Sequence, residues 1–527
     1  MAAFVFLPVV TSTALGASAG SDKVQARADR ALREGDYETA EKMYRELLVK
    51  DPHDHAARLG LSFTLLKRRL LQDAYDHAAR VIMSDPLSAR AHSLLGAAIL
   101  AGGDFRNSVE EFRTALSING NDAPAVAGLA MVDFYENRLD AAIRGLRRAV
   151  SLEPDEPDYT FNLGQAAARS ERYKEAADSY ERFLIIAPKT DADRRARIRG
   201  LIDFLRYLGK HANLYVPGGA SRTVVSFESL DDRPILRVRV NGNKNEFRFV
   251  LDSGSGMSVL SEETAKRLNL RPVAQGGLAR AVGGGGKFGI VYGFLSSLEI
   301  GDVKVESVPV YIRRFYDDRI PVDGYIGLSI ISKFIATVDY EQRTFSLVRQ
   351  GQLDPEGWKT LYRANPDSRD RGEPLFSGGV EIPLRTTSSG FLSGEVKLEG
   401  IEKPQNFIID TGASISVVSE KLAALEEMAG YHQSTRLRVF GAAGIADDVK
   451  TVTIPSVILG TLTRKQVNAA VLDLEPVNET SGFTQDGILG GNFLRHFRVS
   501  FDFQRGVIRL EPLSRTARTG EPRPEKP

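Results

Sequence analysis

Phe407–Ser419 reads F-I-I-D-T-G-A-S-I-S-V-V-S, and Phe249–Ser261 reads F-V-L-D-S-G-S-G-M-S-V-L-S. In both, an apolar run leads into an aspartate, a hydroxyl residue and a glycine. Asp252 corresponds to Asp410, Ser253 to Thr411, Gly254 to Gly412 and Ser258 to Ser416, at an offset of 410 − 252 = 158 residues. A glycine-rich stretch follows at the same interval in each copy, Val282-G-G-G-G-K and Phe440-G-A-A-G-I (282 − 252 = 440 − 410 = 30). Asp323-G-Y-I-G and Asp486-G-I-L-G come next, then strand-like segments carrying Asp339 and Asp502; by then the offset has grown only to 486 − 323 = 502 − 339 = 163. Landmarks that recur in one order at nearly constant spacing mark an internal duplication.

Each copy reads as a buried strand that delivers a carboxylate to a tight turn, with a glycine letting the backbone pass close by. Aspartate is depleted in strands, so one that closes an apolar run needs a reason. A turn or cap would suffice for a single copy, but not for a pair of copies with matched surroundings.

The landmarks resemble the retropepsin-like aspartic proteases, which combine D-[TS]-G-[AS], a glycine-rich flap and an apolar-apolar-Gly element. The resemblance covers about 233–349 and 379–512. Ile488–His496, I-L-G-G-N-F-L-R-H, is similar to cellular and bacterial members; the first copy departs at Ser253 and at Ser255-Gly256. The resemblance implies an all-β, two-lobed fold and a catalytic pair, Asp252 and Asp410, meeting across an internal pseudo-twofold axis. Ser253 and Thr411 would brace the two loops, and Gly254 and Gly412 would offer backbone N–H groups. Val282, Gly283 and Gly284 would belong to one flap, Phe440 and Gly441 to the other. Two carboxyls held close cannot both ionise easily, so one can act as base and the other as acid in peptide hydrolysis. Asp323, Asp339, Asp486 and Asp502 read as turn and strand-end residues.

Ahead of the duplication, from about Asp22 to Pro188, a second regularity appears. Pro52, Pro86, Pro154 and Pro188 lie on a grid of 86 − 52 = 34 residues, with Gly120 in the remaining slot. Ala40, Ala74, Ser108, Ala142 and Ala176 share a slot; Tyr37, Leu71, Phe105, Leu139 and Tyr173 share another; Leu61, Leu95, Leu129 and Leu163 a third. This resembles the tetratricopeptide repeat and implies an all-α solenoid of five helix pairs, more than the three or so a stable stack needs. Small residues allow close helix approach, and proline stops the second helix of each pair. The resemblance implies a protein partner on an extended concave surface. Asp191–Tyr207 reads as a terminal helix whose Arg194, Arg195, Arg197 and Arg199 form a solvated face.

The expected domains are a signal peptide over 1–20, the repeats and terminal helix over 21–208, lobe one over 230–349, a linker over 350–378, lobe two over 379–512 and a disordered tail over 513–527. Gly209–Ser229 reads as a connector. Met1–Gly20 is small and apolar, and Ala17-Ser18-Ala19 has the form of a signal-peptidase site, although no Lys or Arg precedes Lys23. The expectation is an exported protein, periplasmic or secreted; a frayed N-terminus on a cytoplasmic protein is the alternative. No stretch is long and apolar enough for a transmembrane helix.

With 69 basic and 68 acidic residues and net charge +1, nothing suggests a nucleic-acid surface. The absence of cysteine excludes disulfides, zinc–thiolate sites and thiol nucleophiles. The seven histidines form no H-E-x-x-H cluster, and no metal or other cofactor is expected. Gly283–Lys287 fails as a phosphate loop because Ala281 and Phe288 stand where Gly and Ser or Thr belong. G-x-S-x-G is absent. The expected activity is therefore an aspartic endopeptidase acting on a peptide or protein substrate. The competing expectation is a non-catalytic peptide-binding scaffold on degenerate lobes.

Overall fold

The computed structural model describes residues 13–211, 213–282, 287–317, 321–349 and 379–513. The linker over 350–378, the tail from 514, Gly283 and Gly284 lie outside the described residues, as does the expected leader up to residue 12; Thr13–Gly20 open the first helix.

Five helix pairs make the N-terminal solenoid: Thr13–Glu34 with Tyr37–Lys50, His55–Lys67 with Leu71–Ser84, Ala89–Ala101 with Phe105–Ile118, Ala123–Tyr135 with Leu139–Leu152, and Pro157–Arg169 with Tyr173–Ile186. Every second helix begins on the slot Tyr37, Leu71, Phe105, Leu139, Tyr173. Aspartates set several of the starts: Asp36 accepts from Thr39 N, Asp54 from Ala57 N, Asp104 from Asn107 N and Asp122 from Ala125 N. Ala40, Ala74, Ser108, Ala142 and Ala176 are fully buried, as close helix approach requires. Ser62 Oγ fills one such contact by donating to Ala74 O at 2.7 Å.

The chain divides into two compact units. One holds the chain up to Val132, Asp140–Gly164 and Ser179–Arg195; the other holds Asp133–Leu139, Gln165–Asp178 and everything from Ala196. In the first, the superhelix is tight enough for distant repeats to touch. Lys67 Nζ, on the second pair, donates to Glu156 Oε1 at 2.7 Å and to Asp158 Oδ2 at 2.6 Å, at the start of the fifth. Asp158 also accepts from Arg194 Nη1 at 2.6 Å, and Arg194 Nε donates to Asp191 Oδ2 at 2.7 Å. Thr190 Oγ1 reaches Glu34 O at 3.3 Å, joining the ends of the stack.

One expectation changes here. Arg194 is not part of a solvated face but the centre of a partly buried ion network. Burial alone would raise the Asp158 pKa, but Lys67 and Arg194 outweigh it and hold the carboxyl well below its usual range. Burial likewise opposes the charge on Lys67, and Asp158 with Glu156 overcomes it, so its pKa is raised.

The second unit contains two lobes of matching topology. In lobe one the strands Val303–Arg313, Val259–Ser261, Gly324–Ile326, Glu246–Leu251 and Arg233–Val240 are neighbours in that order; in lobe two Leu462–Leu472, Ser416–Ser419, Gly487–Leu489, Gln405–Ile409 and Leu392–Leu398 repeat it. A six-stranded sheet joins the lobes through Phe334–Asp339 and Phe497–Asp502, antiparallel with Thr337 opposite Ser500. These two residues occupy equivalent positions (500 − 337 = 163), so the pseudo-twofold axis passes between them. One apolar core runs through both lobes, from Leu236 and Phe249 to Phe407 and Ile409.

The segment read as a connector is built into this unit. Val216–Gly219 pairs with Val303–Arg313, and Arg222–Ser226 takes the edge of the six-stranded sheet against Thr344–Arg349. Lobe one therefore starts before residue 230. Pro217 is tolerated because its strand is an edge.

The ion network yields a stability test. Lys67→Met would leave Glu156 without its ion partner and Asp158 with Arg194 alone, and should cost the full chain about 3 kcal/mol. Because the Asp158 pKa is depressed, its stabilising share is present at neutral pH and is lost as acid protonates it, below about pH 4. Thermal unfolding followed by the helical circular-dichroism signal should show the loss. An unchanged midpoint at neutral pH would remove the network from the account.

Candidate active site

Asp252 follows the strand Glu246–Leu251, and Asp410 follows Gln405–Ile409. Both strands are central and apolar, which pins the two loops at the floor of the interface. Each loop is tied to a parallel neighbour: Asp252 N donates to Ile326 O and Asp410 N to Leu489 O, both at 3.0 Å. Gly324 and Gly487 open those neighbouring strands. A Cβ on them would stand 2.4 Å from Phe249 Cε1 and 2.2 Å from Phe407 Cε1, so each Asp-Gly landmark makes room for the aromatic ring beside it on the parallel neighbouring strand.

The two loops are locked to each other by reciprocal hydrogen bonds. Thr411 Oγ1 accepts from Ser253 N at 3.0 Å and donates to Leu251 O at 2.8 Å. Ser253 Oγ accepts from Thr411 N at 3.0 Å and donates to Ile409 O at 2.9 Å. Both hydroxyls are fully buried. Serine in the first copy thus makes the same pair of bonds as threonine in the second.

The glycines bring the carboxyls together. Gly254 N donates to Asp252 Oδ1 at 2.9 Å; Gly412 N and Ala413 N donate to Asp410 Oδ1 at 2.7 and 3.1 Å. A Cβ on Gly254 would lie 2.4 Å from Asp410 Cγ, and one on Gly412 2.8 Å from Asp252 Cγ. Each glycine therefore abuts the other lobe's carboxyl. Gly256, where the first copy departs from the second, also meets the other lobe: its Cβ would be 3.1 Å from Ser389 O and 3.5 Å from Gly390 Cα.

Burial raises the pKa of both carboxyls, and each acts on the other. The Asp252 carboxyl is pushed well above the ordinary range, first by burial and then by the charge of Asp410. Asp410 is raised by burial too, but backbone N–H groups of Gly412, Ala413 and Gly254 and the hydroxyl of protonated Asp252 stabilise its ionised form. Asp410 accepts two backbone N–H groups and Asp252 one, so Asp410 is the better placed of the two to carry the charge.

Two hairpins rise over this floor. Ala274–Arg280 pairs with Lys287–Ile300, and His432–Gly441 with Gly444–Leu459. Phe440 and Gly441 sit in the second hairpin beside its Ala442-Ala443 tip, and Val282 in the tip of the first. The tips meet where Ala443 N donates to Val282 O at 3.2 Å.

The remaining duplicated aspartates take structural positions. Asp323 accepts from Arg248 N, Thr264 Oγ1 and Arg267 Nη1 at 2.7–2.8 Å. Asp486 accepts from Asn406 N at 3.1 Å. Asp339 takes a two-pronged contact from Arg498, and Asp502 caps a turn through Gln504 N and Arg505 N. Asn492 and Arg313 escaped sequence reasoning. Asn492 Oδ1 accepts from Ser416 N and Oγ, both at 2.8 Å, which steadies the strand leaving the Asp410 loop. The I-L-G-G-N run of Ile488–Asn492 was the signal available for it.

Residues 236–330 and 394–493 match the aspartyl protease family model, and 31–98 and 128–190 match tetratricopeptide-repeat models. The chain thus carries tetratricopeptide repeats followed by two regions of the aspartyl protease family. Curated relatives include anaphase-promoting complex subunit 3 of Schizosaccharomyces pombe, 29% identical over 121 residues, and a peroxisomal targeting signal receptor of Kluyveromyces lactis, 33% identical over 85. These matches cover 23% and 16% of this chain, and the chain spans only 18% and 15% of the relatives' lengths. Among solved structures, a tetratricopeptide-repeat protein of Thermus thermophilus is 23% identical, with 33% of this chain and 95% of that one covered and a TM-score of 0.29. The Cut9–Hcn1 hetero-tetramer is 16% identical, with 36% and 37% covered and a TM-score of 0.31.

Thr411→Val tests the lock. It strands the buried Ser253 N–H and the Leu251 carbonyl, at about 1–3 kcal/mol for each group. Denaturant unfolding of the β-rich unit should register the loss, while Thr411→Ser should retain most of the stability. Equal stability of the valine variant and the parent would contradict the role assigned to these bonds.

Proposed function

We propose that this protein is an aspartic endopeptidase whose single chain supplies both catalytic carboxyls. The reading is carried by the paired loops: two aspartates from equivalent positions, each against the other's glycine, with one proton favoured between them. Asp410, ionised, takes a proton from water as its oxygen bonds to the scissile carbonyl carbon. Asp252 gives its proton to the carbonyl oxygen, forming a neutral tetrahedral diol. The diol then collapses: the C–N bond breaks, the leaving nitrogen takes a proton from one carboxyl, and a hydroxyl proton returns to the other. The flap hairpins cover the bound peptide and exclude bulk water.

The repeats carry protein–protein interaction. Val49, Met83 and Ile185 share one repeat slot (83 − 49 = 34; 185 − 83 = 102) and are exposed, at 83%, 76% and 75%. This exposed apolar slot is a surface offered to a protein partner.

Activity requires Asp252 protonated and Asp410 ionised. It should therefore follow a bell, failing in acid as Asp410 takes up its proton and failing at higher pH as Asp252 loses its own. Both limbs should lie above the ordinary aspartate range, because both pKa values are raised. Asp252→Asn and Asp410→Asn should each lower hydrolysis of an unstructured peptide pool by about a hundredfold or more. A raised carboxyl pKa also means that native stability falls as pH rises through it. Asp252→Asn should consequently melt higher than the parent at neutral pH, which separates lost chemistry from lost folding. Cleavage that survives either substitution would overturn the paired-carboxyl mechanism. Peptide binding without any cleavage would leave the lobes as a scaffold.

A further inference from the structure

A charged side chain that the mechanism does not use stands beside the candidate pair. Arg313 closes the strand Val303–Arg313, which runs parallel to the strand leaving the Asp252 loop, with Arg313 opposite Ser261. On its other side the same strand pairs with the first flap hairpin, Ile312 opposite Val291. Arg313 is thus fixed where the catalytic loop, the flap base and the lobe edge come together.

Its guanidinium lies among three aromatic rings, with Cζ 5.6 Å from the centroid of Phe288, 5.1 Å from Phe315 and 5.7 Å from Tyr325. Nη1 crosses to the other lobe and donates to Ala442 O, in the tip of the second flap, at 3.0 Å; a longer contact goes to Arg314 O at 3.4 Å. Among the described residues no carboxylate lies within ion-pair distance of Arg313, and Nε and Nη2 have no hydrogen-bond partner. This sets Arg313 apart from Arg233, which pairs with Asp317, and from Arg267, which pairs with Asp323. Burial lowers its pKa, and Asp252 is among the groups that feel its charge.

The guanidinium is half-buried, and its spare donors are open to an incoming acceptor. The aromatic walls favour the cation but provide no acceptor. The forked donor set matches a carboxylate in two-pronged geometry. A peptide lying over Asp252 and Asp410 beneath the flap tips would pass this side chain.

We propose that Arg313 is a substrate-selecting residue that binds a carboxylate carried by the peptide close to the scissile bond. This inference rests on the proposed function for the peptide's path but not on catalysis itself. The carboxylate could belong to an Asp or Glu side chain or to a free C-terminus, and the two sources are separable.

The test uses the full chain and fluorescently labelled short peptides in which Glu or Gln is scanned along the sequence, each made as free acid and as C-terminal amide. Binding is read by anisotropy, with the Asp410→Asn chain preventing turnover, and kcat/KM is read with the parent. The expected result is a preference of about tenfold or more for one Glu position, or for the free acid, over its neutral counterpart. Arg313→Gln should abolish that preference while still binding the neutral peptides, and Arg313→Lys should restore part of it. Retained binding of neutral peptides shows that the variant is folded. Equal binding of charged and neutral peptides by the parent, including no binding of either, would overturn the proposal, as would a preference that survives Arg313→Gln. Preferential binding of acidic peptides with no cleavage would uphold Arg313 and refute the catalytic reading. Cleavage without charge preference would do the reverse.

Discussion

The β-rich unit depends on the four hydrogen bonds exchanged by Ser253 and Thr411. Each hydroxyl accepts a backbone N–H from the opposite loop and donates to the carbonyl before the opposite aspartate. The bonds are buried, so a missing partner is not replaced by water. Their symmetry places equivalent atoms face to face. That explains why Gly254 meets the Asp410 carboxyl and Gly412 meets that of Asp252. These constraints, rather than any attraction between them, hold the two acids close together. Burying both carboxyls costs stability, and the surrounding core and the six-stranded sheet offset it.

The solenoid solves a different problem with charge. Its repeats bury alanines along the helix contacts, and its ends are drawn together by Lys67, Asp158 and Arg194. A partly buried ion network of this kind is weak evidence for net stability, but removal of one member is expensive.

Most of the architecture was legible because both regularities are local. A repeated slot reports the face of a helix, and F-x-x-D-[ST]-G followed by D-G-x-x-G reports strands that must lie side by side. What was not legible depends on distance in sequence. Arg194 looked like part of a polar helix face because Asp158 reaches it only through the superhelix. Val216–Gly219 looked like part of a connector because V-P-G-G has loop composition, yet an edge strand tolerates proline and glycine. Gly256 stood out only as a departure from the second copy, and its reason is the approach of Ser389 and Gly390 from the other lobe. Arg313 offered no motif at all: its contact with the Ala442 carbonyl spans 442 − 313 = 129 residues and two lobes.

Asp252 and Asp410 should titrate as a single buried pair. Carbon-13 labelling of the aspartate carboxyls in the full chain, with Asp252→Asn and Asp410→Asn spectra for assignment, follows their ionisation directly by NMR. The account predicts two separate steps, both above the ordinary aspartate range, with the higher one lost in either variant. Two carboxyls that ionise independently near pH 3.9, each unaffected by removal of the other, would contradict it.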